Sequence, residues 1–342
     1  MRVSRWLLAL ATLFVAALAK AETPAEFFAG KTITIYVGFG PGGGYDAYAQ
    51  LLSRHMGPHI PGAPGMVVRH MPGADSMVMM NWLANVGPRD GTAFGIVASG
   101  VPVAPLIGQP DQKANAKFDA RKLGWLGSLE KFNAIAIAWH TSGFRTLDDV
   151  KQRELRFASA GPASGGEVYA KMLNETIGTK FRGIRGYRSS PELTLAMERG
   201  EVDGMVGWCW ACMRADKPAY LAEKLVTPLA QFGLAPEPGT EATPNAMDLV
   251  TKPGEKQIFA LIFGALAMSR PFVAPEGVPP ERLAALRQAF EQTARDKAFL
   301  EAAKKAGRDI ILFSGADIDA LLAEQYALPA EVVRRATELS AP

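Results

Sequence analysis

Two stretches 121 residues apart carry the same punctuation, and this repeat points to a fold that uses one design twice. Gly40, Pro41, Gly44, Tyr48, Ala49 and Leu52 recur as Gly161, Pro162, Gly165, Tyr169, Ala170 and Leu173, with acidic Asp46 opposite acidic Glu167. Six identities in thirteen positions exceed what composition supplies, although any α/β unit reuses glycine at its turns. Each copy reads as a strand, a Gly-Pro loop and the start of a helix.

The surrounding pattern agrees with that unit. Thr32 to Phe39 reads as a buried strand, Gly40 to Gly44 as a tight loop, and Asp46 to Met56 as a helix stopped by Gly57 and Pro58. A strand at Met66 to His70, a helix at Ser76 to Asn85 and a strand at Ala93 to Ala98 follow. The pattern restarts at Asn133 to Trp139 and continues through a strand at Leu155 to Ala160, helices at Glu167 to Glu175 and Pro191 to Arg199, and a strand at Glu201 to Val206. A Pro/Gly-rich stretch, Pro236 to Gly254, leads to the apolar run Ile258 to Met268, and Pro280 opens a last helical region with Leu283, Leu286 and Phe290 on one face. Alternating strands and helices predict largely parallel sheets covered by helices. A length of 342 residues leaves room for two domains, and 48% apolar with 21% charged residues fits an ordinary globular chain.

Charge narrows the partners. Arg2, Arg5 and Lys20 lie in the first 21 residues, which hold no acidic residue, so the remainder carries 34 basic against 34 acidic residues. That balance gives no support to nucleic-acid or anionic-membrane binding. The basic start, the apolar run Trp6 to Ala19 and the triplet Ala19, Lys20, Ala21 read as a secretory signal cleaved before Glu22, leaving an exported, soluble chain of 321 residues. The 14-residue apolar run falls short of the roughly 20 residues that span a bilayer.

Gly-rich turns ahead of helices leave backbone N–H groups uncovered at the positive end of the helix dipole, a combination that holds anions. The pattern Gly38-x-Gly40-x-x-Gly43 invites a dinucleotide reading, but Pro41 interrupts it and Arg69, His70 and Met71 end the second strand where an acidic residue is needed. No Gly-Lys-Ser/Thr follows either turn, which excludes a P-loop. Two such turns predict a cleft between two lobes whose facing helix starts grip one small carboxylate. Neither turn adds a nucleophile and base, so binding without chemistry, cofactor or metal is expected.

The stretch KTITIYVGFGPGGGYD from Lys31 to Asp46 resembles the start of the periplasmic solute receptors of tripartite tricarboxylate transporters, the TctC and Bug proteins. Met71 to Ser76, Pro88 to Gly100, Gly186 to Val206 and Arg270 to Phe290 are similar to later stretches of that family, in the same order. The resemblance implies a two-lobed α/β periplasmic binding protein, type II-like, that acts as a monomer and delivers a small carboxylate to a permease of one large and one small subunit. It further implies a two-strand hinge near residues 128–134 and 258–268, a discontinuous first lobe at 22–130 plus 265–342, and a second lobe at 131–264.

The same resemblance implies a ligand held by Phe39, Gly42, Gly43, Gly44, Tyr45 and Asp46 of the first turn, by Ala74, Asp75 and Ser76 of the next loop, and by Ser99 and Gly100 after the third strand. From the hinge and the second lobe it adds Phe132, Ser164, Gly165, Gly166, Tyr187 and Trp208. Many relatives carry an Asp where Gly207 stands, and its replacement here by Gly207-Trp208-Cys209-Trp210 favours a flatter or more apolar ligand over one with an amino group.

Other residues invite different readings. Cys209 and Cys212 form a C-x-x-C that fits a thiol oxidoreductase, a local disulfide or free thiols, and the spacing does not choose among them. His55 and His59 stand four apart, but Gly57 and Pro58 break the helix between them, so surface histidines are expected rather than a metal site. Arg182, Arg185 and Arg188 form either an anion clamp or a solvated face, and alternation after a strand turns Trp208 and Trp210 to opposite sides.

Overall fold

The computed structural model describes residues 22–341 apart from 109, 160, 162, 163, 188 and 189. The signal segment, Arg188 and parts of the second Gly-Pro turn lie outside the described residues.

Strands sort into two sheets. The first contains β1 (Thr32–Val37), β2 (Gly65–His70), β3 (Ala93–Ile96), β4 (Gly124–Ser128), β10 (Pro271–Ala274) and β11 (Phe313–Ser314), in the order β11-β4-β10-β3-β1-β2. The second contains β5 (Ala134–Trp139), β6 (Leu155–Ser159), β7 (Phe181–Arg185), β8 (Gly204–Cys209) and β9 (Val226–Phe232), in the order β7-β6-β8-β5-β9. The strands joined by helical crossovers pair in parallel, β1 with β2 and β3 and β6 with β7 and β8. The expected largely parallel sheets are in fact mixed, because the strands that enter after a crossing and β11 pair antiparallel. The strand that enters each sheet after a crossing runs antiparallel to its neighbours, β5 between β8 and β9, and β10 between β3 and β4.

Both sheets are covered on both faces, which is why their central strands are apolar throughout. Along β5 the pleat sends Ala134, Ala136 and Ala138 to one core and Ile135, Ile137 and Trp139 to the other. In β1 and β3, Ile33, Ile35, Val37, Phe94 and Ile96 share one core, while Ala93 joins the opposite face with Trp125 and Val273.

The repeat is visible in the helices. The helix Gly44–His55 follows β1, and the helix Gly165–Ile177 follows β6, so the two begin 121 residues apart. Both bury the repeated Tyr, Ala and Leu, at Tyr48, Ala49 and Leu52 and at Tyr169, Ala170 and Leu173.

The connections between the sheets correct two expectations. Ile258 to Met268 is not a hinge strand: most of the run belongs to the helix Pro253–Ala267, which buries Ile258, Phe259, Leu261, Ile262, Phe263 and Leu266 in the second sheet's core. An apolar run this short has no period that separates strand from helix, and here the i, i+4 pair Phe259–Phe263, with ring centroids 5.6 Å apart, places both rings in one core. The second crossing comes just afterwards, beside the first. The Phe132 N–H donates to the Leu266 carbonyl (3.4 Å), the Ser269 N–H to the Glu130 carbonyl (3.1 Å) and the Arg270 N–H to Ser128 Oγ (3.0 Å). The closing helix Ala330–Ser340, expected with the first lobe, instead packs Val332, Ala336 and Leu339 into the second sheet's core. Its amphipathic face matches the surface of the helix Pro253–Ala267, against which it lies.

Gly207 shows how tightly the second sheet constrains its turn. It is the extra residue where the β5–β8 register shifts, its φ is +86°, and a Cβ there would stand 2.7 Å from the Gly166 nitrogen. Gly207→Ala should therefore cost about 1–3 kcal/mol in urea-unfolding free energy, from the left-handed backbone and the displaced helix start together.

Candidate functional site

The first turn is assembled by close approach. After β1, Gly38 lies against Ser76, so closely that a Cβ on Gly38 would stand 2.1 Å from the Ser76 Cβ. Ser76 is fully buried, and its Oγ accepts the Ala98 N–H at 2.8 Å, which ties the loop to the end of β3. Ala74, Asp75 and Ser76 adopt φ of 45°, 51° and 68°, three consecutive left-handed residues without a glycine among them. Each costs of order 1 kcal/mol or more and persists only where the surroundings enforce it, a kind of strain that clusters at ligand sites. Loss of hydration pushes the Asp75 carboxyl above its usual range although the residue still reaches solvent.

Aromatic stacking continues the cluster. Phe39 and Tyr45 stack with centroids 4.1 Å apart, and the Arg270 guanidinium lies 4.2 Å above the Tyr45 ring. The Tyr45 hydroxyl is held above its ordinary pKa by burial, with Arg270 and the Ser99 N–H opposing that shift. Arg270 Nη2 lies 3.2 Å from where a Gly44 Cβ would stand, so Gly44 gives the guanidinium room. The same Arg270 pairs with Glu130 at 3.1 Å, and the Tyr48 hydroxyl reaches Glu130 Oε1 (3.3 Å) and the Asp309 carbonyl (3.0 Å). Desolvation, with Glu130 adding to it, raises the Tyr48 pKa.

Asp46 turns inward. Its Oδ2 accepts the Gly42 N–H at 2.8 Å, and its Oδ1 lies 2.8 Å from His70 Nε2 and within 3.3 Å of Gln50 Nε2. Desolvation opposes ionisation, but the Gly42 N–H, His70 and Gln50 outweigh it and hold the carboxyl below its usual range. The carboxylate thus closes its own turn. Gly43 stays open, since a Cβ there would meet nothing within 4 Å.

The second turn rests on β8. A Cβ on Gly166 would stand 2.3 Å from the Val206 carbonyl oxygen, so the helix Gly165–Ile177 starts in direct contact with the Gly207 bulge. Ser159, buried at the end of β6, accepts the Gly161 N–H at 3.2 Å, and its hydroxyl lies 3.4 Å from that of Ser164. Ser164 occupies the N-cap without a side-chain bond to the helix. Tyr187 and Trp208 are half-buried against the same core: the Tyr187 hydroxyl donates to Glu201 at 3.3 Å, and Trp208 meets Tyr220 edge-on. Trp210 is buried, with its indole N–H on the Pro238 carbonyl.

Expected residues therefore gather around two turns, one on each sheet. Phe39, Gly44, Tyr45, Asp75, Ser76 and Ser99 are linked through Arg270 and the Gly38–Ser76 contact, Gly165 and Gly166 through the Gly207 bulge, and Ser164 through Ser159 and Gly161. Phe132 lines a cavity of about 490 Å³, and Ala74, Asp75 and Gly100 line another of about 520 Å³. Arg182 and Arg185 form no clamp, because both lie on β7 and pair with Glu154 and Glu167. His55 stacks edge-on against Phe299 and His59 lies 3.8 Å from Asp296, while no metal-sized cluster occurs among the described residues. Cys209 and Cys212 form a disulfide. Sequence reasoning missed Arg270, Glu130 and His70, though Arg270 opens one of the family-like stretches.

No protein-family model matches this sequence, and no curated protein does. Solved structures are similar in fold. A TctC solute-binding protein from Polaromonas superposes with a TM-score of 0.70 at 18% identity, covering 89% of this chain and 98% of that one. The periplasmic binding protein BugD gives 0.58 at 18% identity, covering 90% and 97%, and an R. palustris protein with adipate gives 0.59 at 17%, covering 90% and 97%. The chain thus has the α/β periplasmic binding protein fold of the TctC and Bug proteins, as the sequence resemblance implies. No helix among the described residues is long and apolar enough to cross a membrane.

Two measurements test this geometry. Asp46→Ala should lose about 1–3 kcal/mol of unfolding free energy at neutral pH. Because the folded pKa of Asp46 is depressed, its contribution is present above the unfolded value near 4 and is lost as pH falls through the folded value, so the difference from the parent should shrink below about pH 4. Arg270→Met should cost about 2 kcal/mol by leaving Glu130 uncompensated, and adding Glu130→Gln should return part of that loss.

Proposed function

We propose that this chain is an extracytoplasmic receptor that captures a small carboxylate between its two lobes. The observation that carries the reading is the duplicated turn: each sheet presents a helix start at the same place in a 121-residue repeat, beside the ends of parallel strands where α/β folds bind ligands. Uncovered N–H groups at Gly43, Gly44 and Gly165, with the hydroxyl of Ser164, suit a carboxylate on each side, while buried Gly166 seats the second helix start on the Gly207 bulge. Phe39, Ala74, Ser99, Gly100, Phe132, Tyr187 and Trp208 shape the walls, while fully buried Ser76 holds the loop behind them and Asp46 and Gly42 brace the first turn. Adipate in the R. palustris neighbour supports an acid of this size.

In this reading residues 1–21 direct export to the periplasm. The first lobe comprises 22–130 and 265–329, and the second 131–264 with the closing helix 330–340. Closure about the paired crossings traps the acid with no covalent step, and the receptor, as a monomer, presents it to a tripartite tricarboxylate-type permease of one large and one small subunit.

A thermal-shift screen of mono-, di- and aromatic carboxylates, adipate included, identifies the acid, since a ligand at 100 times its Kd stabilises by about 2.7 kcal/mol. Gly43→Val, where the new side chain finds open space and the fold is kept, should weaken calorimetric binding of that acid by about 1–3 kcal/mol, and Ser164→Ala by about 1 kcal/mol. A folded Gly43→Val chain that binds as tightly as the parent overturns this placement.

A further inference from the structure

The Cys209–Cys212 bridge closes a loop with only two residues between its ends, so it removes little entropy from the unfolded chain. Neither cysteine needs the bridge to hold its place. Cys209 ends β8 opposite Ala134 in the ladder, and Cys212 lies in the helix Trp210–Asp216, anchored by buried Trp210 and Met213. A bridge that staples nothing calls for another role.

Its surroundings suggest one. Both cysteines are only partly buried, and both line the 490 Å³ cavity where the first crossing, residues 307–311 of the first lobe and the second lobe meet. Lys131, Arg214 and Arg308 face this cavity together with Asp216, Glu237 and Asp309, and none of the six has an ion-pair partner within 4 Å among the described residues. Arg308 Nε is buried without a hydrogen-bond partner. Three cations and three anions around one disulfide match a small molecule that carries a thiol, a carboxylate and an ammonium group.

We propose that Cys209–Cys212 is an exchange site for small zwitterionic thiols of the cysteine class, admitted through this cavity. The incoming thiolate attacks Cys212 Sγ and forms a mixed disulfide. The Cys209–Cys212 bond breaks, and its electron pair leaves on Cys209, whose Sγ accepts the Cys212 N–H at 3.1 Å. A second thiolate attacks the small-molecule sulfur of the mixed disulfide and releases the oxidised small molecule. Two protons then complete the protein dithiol. Two small thiols are thereby oxidised while one protein disulfide is reduced. This chemistry does not depend on carboxylate capture, so either proposal can fail alone.

The test is native-state reduction of the full mature chain, followed by counting free thiols. L-Cysteine should open the bridge to two thiols at least about tenfold faster, per thiolate, than neutral 2-mercaptoethanol, since its carboxylate and ammonium can each form a charge-assisted hydrogen bond in the cavity that holds the thiolate beside the bridge. The advantage should vanish in guanidinium, and Arg214→Gln with Arg308→Gln should remove most of it in the folded chain while the mercaptoethanol rate changes less than about twofold. A native bridge inert to both thiols, or opened by both at equal rates, overturns the proposal. A Cys209→Ser, Cys212→Ser chain should keep the parent's circular dichroism, and loss of the fold would make the bridge a structural staple.

Discussion

Everything in this molecule hangs on two chain segments that cross between the sheets side by side. Glu130 lies on one crossing and Arg270 on the other, joined by backbone bonds and by a half-buried ion pair. Such a pair returns little net energy once desolvation is counted, yet removing one partner strands the other in a place with little water. Its value here is positional. Arg270 also lies over Tyr45 and against Gly44, so the side chain that joins the crossings also bears on the first helix start. Any shift of one crossing against the other therefore acts directly on that helix start.

The two Gly turns are shaped as much by missing atoms as by side chains. Gly38 against Ser76 and Gly207 against Gly166 are contacts that a single Cβ would break. The left-handed run Ala74–Ser76 stores strain that the buried Ser76–Ala98 hydrogen bond maintains. A side chain has no room at Gly207, because its backbone is left-handed and pressed on the second helix start. The bulge there carries the chain on to the half-buried Trp208 and the bridge at Cys209.

The two copies of the repeat share shape and differ in chemistry. Tyr48 sends its hydroxyl to Glu130 and the Asp309 carbonyl, linking the first turn to the crossing. Tyr169, its counterpart, stacks on Phe232 and meets Phe263 edge-on inside an apolar core. One lobe thus builds its turn on a charged network beside the hinge, and the other on packing, which leaves the first turn the more sensitive to pH and charge.

The sequence by itself determined the α/β class, the parallel crossover units, the two helix starts 121 residues apart and the open glycines at their N-termini. These features follow from local rules: side-chain period, turn residues and the uncovered N–H groups of a helix start act over a few residues and leave a local signature. Tertiary structure alone decided the rest. Ile258 to Ala267 became helical because it fits between the second sheet and the C-terminal helices, and a ten-residue apolar run carries no period that says so. The helix 330–340 crossed to the second lobe because its apolar face fits there. Asp46 turned inward because His70, 24 residues away, came to stand beside it. Arg270 joined the first turn from the far end of the chain, since charge pairing across more than a hundred residues depends on which surfaces meet and leaves no local trace.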